Sequence, residues 1–181
     1  MLVIPQPLIV GKNKVERNLL SFTQQYRQLV AALGHTGHDI VVLTGDVHFG
    51  RISTCKLGPK GGRLIEIISS PLSNLTGLSG ISTATPSFKP KKFPHASTMP
   101  PGWAPQPVRY DRDFSVDTLK SQLFSGYPRA RTKEHFMTVG FSRASGGKVK
   151  LSAQSWHVRE RRGPKQLPTK GFPRAFTARL A

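Results

Sequence analysis

The feature that most constrains this chain is Ile40-Val41-Val42-Leu43, a continuous apolar run that ends at Thr44-Gly45. Four consecutive apolar residues with β-branching give a strand buried on both faces, because a half-exposed strand alternates. Upstream, Val15, Leu19, Phe22, Tyr26, Leu29 and Leu33 recur at intervals of three and four. That spacing predicts an amphipathic helix, opened by a capping box at Asn13 and Glu16 and ended by Gly34. Before it, Leu2-Val3-Ile4 is a short strand stopped by Pro5-Gln6-Pro7. The first 43 residues therefore read as β-α-β.

Downstream, the strand-like runs 51–57 and 64–70 flank Gly58-Pro59-Lys60-Gly61-Gly62, a hairpin signal, so the sheet is expected to be mixed. A second hairpin is expected at 135–158, where Ser145-Gly146-Gly147 separates the alternating series Met137, Val139, Phe141 and Val149, Leu151, Ala153. Residues 73–107, rich in Ser, Thr, Gly and Pro, read as a long loop within a domain spanning 1–158. Residues 159–181 are basic and carry prolines, and they read as a disordered tail. The fold class is α/β.

The charge is unevenly placed. Of 27 Lys and Arg and 9 Asp and Glu, residues 1–80 hold 8 basic and 4 acidic groups, whereas 81–181 hold 19 and 5. A field this positive attracts anions, and nucleic acid is one possible partner of the second half. Against that reading, the aromatic residues do not interleave with the basic ones along the sequence. The lone Cys55 excludes an intramolecular disulfide and a C-x-x-C redox pair, and it reads as a small core residue. Neither a signal peptide nor an apolar span is present, so the expectation is a cytoplasmic protein with no membrane partner.

The apolar run leads into Gly45-Asp46-Val47-His48. In α/β sheets functional side chains gather at the carboxyl ends of strands. A carboxylate and an imidazole one residue apart in such a loop are competent ligands for one centre of Mn, Fe or Zn, with Gly45 allowing a tight turn beneath them. The spacing alone equally suits an Asp that stabilises a turn and a His packed in the core. His35 and His38, at the other end of the strand, read as structural or solvated. Arg51 reads either as a donor to a substrate phosphate or as a strand-edge ion pair. Ser69, Ser70 and Asn74, after the return strand, read as pocket lining or packing. Trp103 and Trp156 read as packing anchors rather than base-stacking platforms.

"VVLTGDVHFGR", followed by the return strand "LIEIISSPLSN", resembles the C-terminal part of the PhoD-like (alkaline phosphatase D) branch of the calcineurin-like metallophosphoesterases. "LVIPQPL", "YRQLVAAL" and "EHFMTVGF…VKLSAQSWHV" are similar to that branch in the same order. The resemblance implies a partial metallophosphoesterase sandwich, with Asp46 in place of the first histidine of a Gly-His-x-His motif and His48 as its second, both on metal. It implies Mn, Fe, Zn or Ca as cofactor and a phosphorylated small molecule or other phosphoric ester as substrate, with Arg51 and Asn74 on the substrate side. The family's other ligands come from an Asp-x-His, a Gly-Asp and a Gly-Asn-His motif, and none precedes Leu43 here. The expectation is thus a C-terminal section whose N-terminal catalytic half is missing, weakly active or inactive alone.

Overall fold

A computed structural model of the chain describes residues 1–11, 19–45, 47, 49–70, 89–117, 135–157 and 168–181. Strand β1 (Leu2–Val3), helix α1 (Thr23–His35) and strand β2 (Ile40–Thr44) form the expected β-α-β unit. β1 and β2 are parallel, with Leu2 opposite Val42. The helix starts later than the capping box implies. A 3-10 turn at Leu19–Ser21 precedes it, and Asn13, Val15 and Glu16 lie outside the described residues.

Tyr26, Val30 and Gly34, each four residues from the next, are the buried positions of α1. Their packing explains why Gly34 is not a stop: a Cβ there would lie 2.0 Å from Cη2 of Trp103, so the glycine seats the indole. The helix runs one residue further, and the Thr36 hydroxyl then donates to the Leu33 carbonyl at 2.8 Å. Trp103 is the packing anchor its sequence context suggested, and the His35 ring stands edge-on to it at 6.0 Å between centroids.

β2 joins a five-stranded mixed sheet with β3 (Phe49–Leu57), β4 (Gly62–Ile68) and β7 (Arg109–Asp117), in the order β1-β2-β4-β3-β7. β4 runs antiparallel to β3 and parallel to β2, so the predicted hairpin inserts its return strand beside β2. Consecutive residues of β2 enter different cores. Val42 packs with Tyr26, Val30, Cys55 and Leu64 beneath α1, while Val41 packs with Ile52, Ile65 and Ile67 on the opposite face. That division is why the run must be apolar throughout.

The second face meets an antiparallel sheet built from β8 (His135–Arg143), β9 (Val149–His157), β10 (Thr169–Lys170) and β11 (Phe176–Leu180). Met137, Val139, Leu151, Ala153, Phe176 and Ala178 point into the shared core. The result is three layers: helix, mixed sheet, antiparallel sheet. Phe141 and Val149 alternate correctly but are 45% and 41% exposed beside the hairpin turn, so the buried stripe stops short of the predicted length.

Three expectations about the irregular regions change. Residues 168–181 are not a disordered tail. β11 pairs with β9 from Phe176 opposite Ala153 to Leu180 opposite Val149, and Asp39 clamps its end. Asp39 N–H donates to the Ala181 carbonyl at 3.2 Å, and Asp39 Oδ2 accepts from Ala181 N–H at 3.0 Å. Arg63 bridges the two segments, with its guanidinium 2.6 Å from Asp39 Oδ2 and donating also to the Arg179 carbonyl. Within the expected loop 73–107, residues 73–88 lie outside the described residues. The remainder holds β5 (Lys92–Phe93) paired with β6 (Gln106–Pro107), and Phe93 is buried beneath α1. Finally, β7 was not expected. It pairs with β3, and its Phe114 stands edge-on to Phe172 and Phe176, at 5.6 and 5.2 Å, tying the two sheets together.

Candidate functional site

β1, β2 and β4 run in the same direction, so their carboxyl ends share one edge. Gly45 N–H donates to the Pro5 carbonyl at 3.2 Å, and Ser69 N–H donates to the Thr44 carbonyl at 3.0 Å, closing the three ends together. From this edge the chain leaves β2 and re-enters the sheet at Phe49, the start of β3. Asp46 and His48, the predicted metal ligands, and Asn74, a predicted substrate contact, lie outside the described residues. Val47 between them is 5% exposed and anchors the turn in the interior.

The turn's glycine has a different role from the one its sequence suggested. Gly45 does not adopt a positive φ, and a Cβ there would come only to 3.4 Å from the Ser69 carbonyl. Gly50 is the demanding position. A Cβ on it would lie 2.2 Å from Nε2 of His135 and 2.9 Å from Cε of Met137, so the imidazole rests directly on the β3 backbone two residues after His48. His135 opens β8, pairs in register with His157 of β9, and is 1% exposed. Sequence reasoning did not single it out, because nothing in "EHFMTVGF" relates its position to residues 46–48.

Behind the rim lies a buried polar chain on the helix-facing side of the sheet. Arg51 Nε donates to Ser53 Oγ at 2.9 Å, and the guanidinium sits 4.7 Å over the Tyr110 ring. Arg51 is 2% exposed, on a strand flanked by β4 and β7, so it stands inside the sheet rather than at its edge. Burial holds its guanidinium below the ordinary arginine range, against the opposing pull of Tyr110 and Glu66.

Glu66, opposite Ser53 in register, is fully buried. Its Oε1 accepts from Leu8 N–H at 2.5 Å and Ile9 N–H at 3.0 Å, pinning the segment after β1, and Tyr26 Oη donates to the Leu8 carbonyl. Desolvation raises the Glu66 pKa, while the Ile9 N–H, the Arg51 charge and the Leu8 N–H pull it down. Burial, with the Glu66 charge adding to it, pushes the Cys55 thiol up to about 12, which makes it the inert core residue expected.

The donor types at 46 and 48 suit a hard or borderline metal ion, but two ligands fall short of a two-metal centre. Among the described residues no group of three or more His, Cys, Asp or Glu is placed to hold an ion. Nor, among the described residues, is any helix long and apolar enough to cross a membrane. A mixed α/β protein, mostly sheet with one helix, is the class these features define. Comparisons with protein-family models, with curated proteins and with solved structures find no match to this chain.

Proposed function

We propose that the chain is a C-terminal section of a metal-dependent phosphoesterase of the PhoD-like kind, with Asp46 and His48 as two of its metal ligands. One observation carries the reading: the segment holding both residues springs from the common carboxyl edge of β1, β2 and β4, where an α/β sheet presents its chemistry. The succession of strand, helix, strand and two hairpins, folded as two packed sheets under a helix, agrees with the order that the sequence resemblance implies.

Asp46 and His48 would hold a Mn, Fe, Zn or Ca ion, which would supply Lewis acidity toward a phosphoric ester and activate water for its hydrolysis. The chain's own contribution is positional. Val47 fixes the turn between the two ligands, and the His135 ring against Gly50 fixes the start of β3. Arg51 places a positive charge behind the rim, where it favours an anionic ester, and Asn74 is assigned to the substrate side. The remaining ligands belong to motifs that do not precede Leu43, so hydrolysis by this chain alone is weak or absent.

Metal binding separates this proposal from a packed-residue reading of Asp46 and His48. Titration with Mn²⁺, followed by loss of the free-ion electron paramagnetic resonance signal, is expected to show saturable binding that Asp46→Ala and His48→Ala each weaken at least ten-fold. Binding unchanged in both variants would contradict the assignment.

A further inference from the structure

The outward face of the β8-β9-β10-β11 sheet combines aromatic and cationic side chains that the sequence keeps apart. Phe136 of β8 lies opposite Trp156 of β9, and Trp156 in turn lies opposite Lys170 of β10, forming one cross-strand row. Six residues away along β9, Lys150 lies opposite Arg179 of β11 in a second row. Alternation puts all five on the outward side, because Leu151, Ala153 and Ala178 point into the core. The rows are about 20 Å apart at roughly 3.3 Å per strand residue.

Trp156, expected to be a packing anchor, is half-buried on the outward side rather than enclosed in the core. Its Nε1–H donates to Thr138 Oγ1 at 3.0 Å, which holds the indole leaning along the sheet with part of its surface open. Lys150, Lys170 and Arg179 are exposed. Residues 135–157 and 168–181 contain no Asp or Glu, so nothing acidic within these segments neutralises the face.

We propose that this face binds single-stranded nucleic acid, with Trp156 and Phe136 stacking on bases and Lys150, Lys170 and Arg179 contacting phosphates. Cations alone suit any polyanion. The paired aromatic rings select for a ligand with flat, unpaired bases, which neither a lipid surface nor a phosphate polymer offers. Binding at this face needs no metal.

The test measures binding of the full chain, with chelator present, to a short labelled oligo(dT), to inorganic polyphosphate and to phosphatidylserine vesicles. Trp156→Ala is expected to weaken oligo(dT) binding by about 5- to 150-fold, the range for one lost base stack, and to leave polyphosphate binding unchanged. Trp156→Phe is expected to stay near wild type. The exposed pair Lys150→Glu and Arg179→Glu is expected to weaken both polyanions and to make the salt slope for oligo(dT) shallower by about 0.7 per lost contact. Phe136→Ala takes the place of Trp156→Ala should the latter lose its circular-dichroism signature. Oligo(dT) bound no more tightly than polyphosphate, aromatic variants indistinguishable from wild type, or a preference for vesicles would overturn the proposal.

Discussion

Gly50 carries no side chain because the His135 ring fills the place where one would stand. Gly50→Ala is therefore an overpacking substitution, expected to cost about 1–3 kcal/mol. Removing the ring should make room: in urea unfolding, the double variant Gly50→Ala/His135→Ala is expected to lose less stability than the sum of the single losses. Strict additivity would mean that the contact is not made. Glu66 gives a prediction in pH. Its folded pKa is raised by burial, so its contribution is complete below the unfolded value of about 4.3 and declines as pH rises through the folded value. Glu66→Gln should flatten that decline, as unfolding free energy measured from pH 4 to pH 8 will show. At this scale the sequence singles out Asp46 and His48 as candidates because a recognisable strand ends just before them. It could not reveal His135, whose importance arises from a contact across 85 positions of chain.

β11 shows why an element can be hidden by its own charge. In Phe176-Thr177-Ala178-Arg179-Leu180 the alternation is present, but it is short and framed by prolines and cations. Its inward residues are covered only because β9 lies beside it, and periodicity says nothing about such a distant partner. β7 was missed for a similar reason: Arg109, Asp111 and Asp113 alternate with Tyr110 and Phe114, and a register shift between Arg51 and Ser53 sends those two rings to opposite faces, Tyr110 to Arg51 and Phe114 to Phe172 and Phe176. β2, α1 and the β3–β4 hairpin were legible because each carries its signal locally, as an apolar run, a three-to-four repeat and a glycine-rich turn. The Asp39 clamp on β11 gives the test at this scale. Asp39→Ala removes charge-assisted hydrogen bonds to Arg63 and Ala181 and should cost about 1–3 kcal/mol in urea unfolding at neutral pH. Burial pushes the Asp39 carboxyl up, but Arg63 and the N–H groups of Ala181 and Arg63 outweigh it, and the folded pKa is lowered. Its contribution is therefore present above the unfolded value of about 3.9 and fades as pH falls through the folded one. The difference between wild type and Asp39→Ala should shrink at pH 3.

Across the whole molecule, the three layers separate two kinds of surface. The carboxyl edge of the mixed sheet carries the turn with Asp46 and His48, and the outer face of the second sheet carries cations and aromatic rings. The excess of positive charge in the second half was visible in composition. The placing of Lys150, Lys170 and Arg179 beside aromatic rings on one sheet face was not, because cross-strand pairing brings Phe136, Trp156 and Lys170 together from separate segments. The proposed metal role of the turn is testable through the stability of the intact chain. Its thermal midpoint, measured with and without Mn²⁺ at about a hundred times the dissociation constant, is expected to rise by roughly 5–10 °C, the equivalent of about 2.7 kcal/mol for a domain of this size. The Asp46→Ala/His48→Ala variant is expected to show no such rise; a wild-type midpoint unmoved by metal, or an equal rise in the variant, would contradict the assignment of these residues as ligands.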